Sequence, residues 1–318
     1  MKLIIQIPCF NEENYLPIIL SELPRKIEGI KKIEWLIIDD GSEDNTIKIA
    51  ERNGVDHIIR HNKNKGLANA FKSGIEACIN FGADIIVNTD ADNQYPSKYI
   101  KELVRPIIEG KTDIVIGDRK TDQIAHFSFT KKLLQKFGSW VVRKVSGTDI
   151  PDAPSGFRAY SREAAMRLNI LSDYTYTIET IIQAGKKNLK MMHVSIKTNP
   201  DLRESRLLKN IFHYVFRSAT TIFKIFLLYE PLKFFSIVSL PFILLGISLW
   251  IRFLVLMSLF GAIRGAYIQS VVVGGIVILI GVFLWCLGLI AESLAKNRIL
   301  IEEQLYLLKK NSSITSIK

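Results

Sequence analysis

The chain has 318 residues, 48% of them hydrophobic, and a formal net charge of +11. That length holds one substantial catalytic domain plus an extra module. High apolar content beside a basic excess argues against an ordinary soluble enzyme. It fits a chain with an apolar segment and basic surfaces near anionic lipid or phosphate. No run of Lys and Arg interleaved with aromatics marks a nucleic-acid reader, so nucleic acid is not an expected partner. Cys9, Cys78 and Cys286 are far apart and odd in number. They suit neither a disulfide framework nor a zinc site and read as reduced packing residues in a cytosolic compartment.

The chain opens on the apolar run Leu3–Ile7, ended by Pro8. It reads as a strand and is too short for a secretory leader. Further strands are expected at Glu34–Ile38, His57–Arg60, Asp84–Asn88 and Asp113–Gly117, with helices at Glu13–Leu23, Asn45–Arg52, Leu67–Asn80 and Ser97–Ile108. This alternation predicts an α/β fold, a mostly parallel sheet with helices on both faces. Active sites of such sheets lie at the carboxyl ends of the strands. From Thr130 to Asn199 more helices are expected, with the alternating strand Met192–Lys197.

From Leu207 the texture changes. Leu208, Ile211, Phe212, Val215, Ala219, Ile222, Phe223 and Phe226 follow helical spacing, with His213, Arg217, Thr220 and Lys224 on the other side. This predicts a basic amphipathic helix over 207–230, suited to a membrane interface or to packing on the catalytic domain. Phe234–Ile251 then holds 18 residues without a charge, and Gly265–Ala291 holds 27. A span takes roughly 20 residues. Pro241 is tolerable in a span, and Arg252 can snorkel to the far interface. Two transmembrane helices are therefore expected within 231–295, at about 234–257 and 267–291, rather than a buried hairpin of a soluble domain. Lys209, Arg217, Lys224 and Lys233 precede the first span, and Lys296, Arg298, Lys309 and Lys310 follow the second, whereas Arg252 and Arg264 alone belong to the connection. That asymmetry places residues 1–206, both termini and a tail at 296–318 in the cytoplasm.

Acidic residues recur where strands end. In Asn88-Thr89-Asp90-Ala91-Asp92 an apolar strand runs into two carboxylates separated by one residue. A hard divalent cation, Mg²⁺ or Mn²⁺, takes one or two such carboxylates plus substrate phosphates. It would neutralise a nucleotide-diphosphate leaving group. In Ile38-Asp39-Asp40-Gly41-Ser42 a carboxylate can accept from a nucleobase or ribose, while Ser42 or Asp44 caps the helix that follows. Pro8-Cys9-Phe10-Asn11-Glu12-Glu13 and Lys65-Gly66-Leu67-Ala68 are weaker signals taken singly. The second opens a helix whose N-terminal amides can face a phosphate.

Taken together, these four segments resemble the nucleotide-sugar domain of family 2 glycosyltransferases with a GT-A fold. The resemblance implies that Pro8, Phe10, Glu12 and Asp39 hold the nucleoside, and that Asp90 and Asp92 bind metal and diphosphate. Gly66 and Gln94 join the nucleotide-sugar site. Asp152-Ala153-Pro154-Ser155-Gly156-Phe157-Arg158, Arg203-Glu204-Ser205-Arg206 and the C-terminal hairpin narrow the likeness to the polyprenyl-phosphate glycosyltransferases. Asn93 and Tyr95 depart from the Leu and His common in that group. The Gln-x-x-Arg-Trp motif of processive synthases is absent.

What the resemblance implies is an inverting, metal-dependent transfer from a UDP- or GDP-linked sugar to undecaprenyl or dolichyl phosphate. Asp92, Asp152 and Arg158 are then catalytic, and Arg119, Arg203 and Arg206 receive the lipid phosphate. Arg suits bidentate phosphate contacts. A phosphate monoester has a second pKa of about 6, so it hardly needs deprotonating. Asp152 is therefore expected to orient the acceptor or balance charge, with base catalysis not required. Rival readings are a membrane-tethered transferase acting on a sugar hydroxyl and a non-catalytic sugar-nucleotide-binding membrane protein. Self-association into a homo-oligomer is left open.

Overall fold

The computed structural model describes residues 1–120, 129–172, 175–199, 220, 223–224, 226–260 and 268–315. The chain divides into two compact units, one formed by Met1–Ile222 with Glu303–Lys318, the other by Phe223–Glu302.

The first unit is built on a seven-stranded sheet. Its strands are β1 (Lys2–Cys9), β2 (Lys32–Asp39), β3 (His57–Arg60), β4 (Ile85–Asn88), β5 (Ile114–Asp118), β6 (Arg158–Ser161) and β7 (Met191–Ser195). Their order is β3-β2-β1-β4-β6-β5-β7. All pairings are parallel except those of β6, which runs antiparallel to β4 and β5. Leu3, Ile4, Ile5 and Ile7 of β1 are fully buried, as are Leu36, Ile37 and Ile38 of β2. A parallel strand covered on both faces reads as such a near-continuous apolar run, interrupted in β1 by the buried Gln6. The helices are α1 (Leu16–Glu22), α2 (Thr46–Arg52), α3 (Leu67–Asn80), α4 (Ile100–Ile108), α5 (Phe129–Ser146), α6 (Arg162–Arg167) and α7 (Thr177–Lys186).

Every strand expected from the apolar runs is present, with ends shifted by one or two residues. Two helices start late for a local reason. Asn11–Glu13 donate backbone N–H groups to Ser42, Thr46 and Asp44, so α1 begins only at Leu16. Ser97–Tyr99 form a 3₁₀ turn ahead of α4. β6 was not expected. It has four residues, begins on Arg158 and ends on Ser161, and offers no alternating pattern.

The second unit holds α8 (Pro231–Phe260) and most of α9 (Ile268–Thr315). Both helices are long and apolar enough to cross a membrane, and only 6% and 17% of their most apolar windows are buried. A soluble core hairpin would be mostly buried, so the exposure favours the membrane reading. Gly274, Gly281 and Gly288 of α9, seven residues apart, and Gly246 of α8 bring the backbones close. A Cβ on Gly274 would lie 2.7 Å from Trp250 Cδ1 and 3.0 Å from the Gly246 carbonyl. Small residues allow such contact between membrane helices. Gly274→Leu is expected to destabilise the hairpin by about 1–3 kcal/mol through overpacking. Gly275→Leu, whose Cβ meets only Trp250 at 3.9 Å, is expected to be silent. Thermal unfolding of both variants in one detergent checks this, and equal midpoints would refute the close contact.

The segment 296–318, expected as a cytoplasmic tail, is helical as far as Thr315. From Glu303 its residues belong to the first unit. Tyr306 is buried, its hydroxyl donates to Glu163 Oε2 at 3.0 Å, and the Arg167 guanidinium lies 4.3 Å from its ring centroid. Leu-, Glu- and Lys-rich sequence continues a helix readily once one is begun. The amphipathic segment expected over 207–230 lies largely outside the described residues, as does the connection 261–267.

Candidate active site

Strand register assembles the site. Cys9 is paired with Asp39 across β1 and β2, and Gln6 with Asn88 across β1 and β4. The Asp40 N–H donates to the Cys9 carbonyl at 2.8 Å and the Thr89 N–H to the Gln6 carbonyl at 3.1 Å. Pro8–Glu12, Asp39–Asp40 and Thr89–Asp92 thus converge at the carboxyl ends of three adjacent parallel strands, where α/β sheets bind ligands.

On one side lie the two aspartates at the end of β2, Asp39 and the following Asp40, with opposite tasks. Asp39 is fully buried. Its Oδ1 accepts the Ser42 N–H at 3.2 Å, while Oδ2 accepts no hydrogen bond among the described residues and has exposed Arg60 Nε at 3.5 Å. A buried acceptor left open costs about 1–3 kcal/mol. Asp39 is therefore suited to donors brought by a ligand. Asp40 is engaged within the protein. It accepts from the Lys65 and Gly66 amides at 2.9 and 2.8 Å, and its Oδ1 lies 2.7 Å from His61 Nδ1.

The amides of Lys65 and Gly66, just ahead of the helix whose N-terminal amides are expected to face a phosphate, are turned to Asp40. Gly66 serves through its φ of +89° at the start of α3. Gly41, at φ +79°, lets the chain pass, since a Cβ there would lie 2.7 Å from the Lys63 carbonyl carbon. Ser42, expected as a possible helix cap, accepts from Asn11, and Asp44, one residue ahead of the N-cap Asn45, accepts the Thr46 N–H at 3.0 Å. Glu12 and Cys9 are buried here and Phe10 is half-buried. Burial raises the Cys9 thiol well above its ordinary range, so it is a packing group and not a nucleophile.

Asp90 and Asp92 stand half-buried beyond β4. Asp92 Oδ1 accepts the Gln94 N–H at 3.1 Å, and Asn93 makes the turn at φ +56°. Asn199, just past β7, holds this loop from outside. It donates its N–H to the Gln94 carbonyl at 3.0 Å and its Nδ2 to the Asn93 carbonyl at 2.9 Å. Gly156 lies against Asp90, and a Cβ there would be 2.8 Å from Asp90 Oδ2. Among the described residues no group of three or more His, Cys, Asp and Glu surrounds a metal position. Two carboxylates alone fit Mg²⁺ or Mn²⁺ completed by substrate oxygens and water, and not an all-protein zinc cage.

The third wall joins two of the expected residues. Arg119, assigned by resemblance to a lipid phosphate, grips Asp152. Its Nε and Nη2 donate to Oδ2 and Oδ1 at 2.7 and 2.9 Å, and its N–H to Oδ2 at 3.1 Å. Both side chains are buried. These three contacts occupy most of the acceptor positions of the carboxylate and leave about one open. Arg158, expected to be catalytic, is fully buried. It donates to the carbonyls of Ser155, Thr177 and Ala153 at 2.7, 2.8 and 2.7 Å and to Thr180 Oγ1 at 2.7 Å. Two of these bonds tie it to the 153–156 turn.

Several residues of the site escaped the sequence reading. Asn88 accepts from Gln6 Nε2 at 2.9 Å and donates to the Gly156 carbonyl and Tyr176 Oη, both at 2.9 Å. Tyr95 accepts the Gly156 N–H at 3.2 Å and stacks on Phe157 at 5.1 Å. Burial pushes the Tyr95 phenol above its ordinary range, so it stays neutral. Asn88 carried a signal as an amide ending an apolar strand, and Tyr95 as a departure from the family's common residue. Arg203 and Arg206 lie outside the described residues. The chain leaves the described part of the site at Asn199, and Arg203 follows four residues later.

The family model for glycosyl transferase family 2 matches residues 4–168. A UDP-N-acetylglucosamine–dolichyl-phosphate N-acetylglucosaminyltransferase of Methanococcus voltae is 30% identical over 216 residues, 60% of this chain and 83% of that one. An undecaprenyl-phosphate 4-deoxy-4-formamido-L-arabinose transferase of Photorhabdus laumondii is 25% identical over 307 residues, 93% of this chain and 89% of that one. Among solved structures, glucosyl-3-phosphoglycerate synthase of Mycobacterium tuberculosis, in complex with Mn²⁺, UDP-glucose and phosphoglyceric acid, superposes with a TM-score of 0.56. It is 18% identical and covers 70% of this chain and 79% of that one. That likeness is one of fold, the GT-A fold.

Proposed function

This chain belongs to glycosyl transferase family 2, and on that premise we propose that it moves a sugar from a nucleotide diphosphate to a polyprenyl phosphate. The acceptor reading is carried by the Arg119–Asp152 pair. A sugar hydroxyl needs a base, and the carboxylate available at this wall is occupied by a guanidinium. A lipid phosphate arrives already anionic and needs none. The relatives that act on dolichyl and undecaprenyl phosphates support the same acceptor class.

In this reading Asp39, Glu12, Pro8 and Phe10 seat the nucleoside, and Gln94 borders the sugar. Asp90 and Asp92 would hold Mg²⁺ or Mn²⁺, which supplies charge neutralisation for the leaving diphosphate. Asp152 keeps Arg119 in place beside the incoming phosphate, and Arg158 keeps the intervening turn rigid. The phosphate attacks the anomeric carbon from the side opposite the leaving group, so configuration inverts. Purified protein offered UDP- and GDP-sugars with undecaprenyl or dolichyl phosphate tests the proposal, with mass spectrometry of the lipid product. A sugar–phosphate–lipid product is expected. Transfer to a hydroxyl instead would overturn the acceptor assignment.

Arg203 is proposed to receive the lipid phosphate together with Arg206. Arg203→Ala is expected to raise the lipid KM or lower kcat while leaving donor affinity unchanged. The cost is about 1.5–3 kcal/mol, the range of a charge-assisted contact. Arg203→Lys recovers part of it. Kinetics with each substrate varied in turn, beside donor calorimetry, separate the two. A loss confined to donor binding would remove Arg203 from the acceptor site.

The catalytic unit and both termini are proposed to lie on the cytoplasmic side, from the Lys and Arg asymmetry around the spans. Impermeant thiol labelling of intact cells is expected to reach Ser258→Cys and not Ser316→Cys. The opposite pattern would sink this orientation.

A further inference from the structure

Gln6 is a polar residue inside the apolar run of β1, and it is fully buried. Burying an amide is costly unless its hydrogen-bonding groups are met. Gly74 of α3 leaves it room, since a Cβ there would collide with Gln6 Oε1. Gln6 Nε2 donates to Asn88 Oδ1 at 2.9 Å, which fixes how the Asn88 amide is turned. Both hydrogens of Asn88 Nδ2 are then engaged, one on the Gly156 carbonyl and one on Tyr176 Oη, each at 2.9 Å. Tyr176 stands just ahead of α7, and its ring stacks on Phe71 of α3 with centroids 3.8 Å apart and planes 5° from parallel. Its carbonyl accepts from the Thr180 N–H and Oγ1 at 2.9 and 2.8 Å, so backbone and ring are both held.

Gly156 is where this network meets the cation site. A Cβ on Gly156 would lie 2.8 and 3.1 Å from the two oxygens of Asp90 and 3.0 Å from Tyr176 Oη. Carboxylate and hydroxyl crowd the same point, and the missing side chain is what lets them. Gln6, Asn88 and Tyr176 are all fully buried, so none of them touches a substrate. Their route to the reaction runs through Asp90. A satisfied buried network rigidifies what it contacts, and the groups behind a metal-binding carboxylate set its orientation.

We propose that Tyr176 is a positioning residue of the cation site. With Asn88 and Gln6 behind it, its hydroxyl fixes Gly156 and the Asp90 carboxylate that lies against Gly156. It thereby sets how tightly Asp90 and Asp92 hold Mg²⁺ or Mn²⁺. The inference rests on the reading of Asp90 and Asp92 as cation ligands, and it adds the interior support that orients one of them.

The test titrates Mn²⁺ alone onto the full chain in detergent and reads the electron paramagnetic resonance signal of the free ion. Tyr176→Phe keeps the stacked ring and removes one oxygen. It is expected to raise the Mn²⁺ Kd about tenfold, the scale of losing a group that supports a metal ligand. Gln6→Leu, which acts on Asp90 only through Asn88, should raise it about threefold by the same route. Tyr160→Phe is the control. It removes the hydroxyl of another fully buried tyrosine beside Phe71, with ring centroids 5.9 Å apart, and should leave the Kd unchanged. In transfer assays with Tyr176→Phe, the Mg²⁺ concentration for half-maximal rate should rise in step with the Kd. Saturating Mg²⁺ should then restore most of kcat, which it would not do for a loss of folded protein. An unchanged Kd in folded Tyr176→Phe, or an equal rise in Tyr160→Phe, overturns the proposal. Should Tyr176→Phe fail to fold, an unchanged Kd in Gln6→Leu overturns it instead. Asp92→Asn separates the two readings. If that variant binds Mn²⁺ as before, the cation reading fails and takes the proposal with it. If it abolishes binding while Tyr176→Phe binds normally, the proposal alone fails.

Discussion

Asp92→Asn is expected to lower the rate of sugar transfer by about a thousandfold while the protein stays folded. Asp92 lies half-buried at a turn and accepts the local Gln94 N–H, so exchanging carboxylate for amide removes charge without opening the core. That charge holds the cation which opposes the developing negative charge on the leaving diphosphate. An effect of about 4 kcal/mol in the transition state corresponds to three decades in rate. The loss should appear in kcat more than in donor KM, because the charge develops during bond breaking. Asp90→Asn should match it. Gly156→Ala should follow in weaker form, since its Cβ would come within 2.8 Å of Asp90 Oδ2 and displace that carboxylate. Steady-state rates with Mg²⁺, Mn²⁺ and EDTA, beside circular dichroism, are the measurement. Full turnover in EDTA by either carboxylate variant would refute the metal site.

The Arg119–Asp152 pair separates a structural from an acceptor role. Arg119→Ala leaves the Asp152 carboxylate 3% exposed and stripped of its bidentate partner. Removing one member of a buried ion pair destabilises by about 3–5 kcal/mol, because the other charge stays buried without compensation. That is a large share of a typical domain's stability. A fall in unfolding midpoint of many degrees and loss of transfer are both expected. Arg119→Met with Asp152→Leu should recover much of the stability and none of the activity, since an apolar pair of similar size can replace a buried ion pair. Asp152→Asn alone should keep part of the transfer rate and leave its pH profile unshifted. If Arg119→Ala barely moves the midpoint and only raises the lipid KM, Arg119 is a phosphate ligand, as the resemblance implies. If Asp152→Asn abolishes turnover and flattens the pH profile, Asp152 is a base.

The amino-acid sequence determined the sheet and the ends at which chemistry collects. Apolar runs such as Ile85–Val87, and Leu3–Ile7 broken only by Gln6, read as strands buried on both faces, and polar residues appear where such strands meet solvent. Asp39, Asp90 and Asp92 were legible for that reason, as were the two apolar helices. What each acidic residue does was not legible, because hydrogen-bond partners come from distant segments. Neighbouring Asp39 and Asp40 look alike in sequence, yet the close approach of residues 61–66 takes up Asp40 and leaves an oxygen of Asp39 open. Arg119 and Asp152 lie 33 residues apart and meet only because β6 inserts antiparallel between β4 and β5. That strand has no periodicity of its own. Its place is decided by the buried guanidinium of Arg158 and the carbonyls around it, a satisfaction requirement that exists only once the chain is folded.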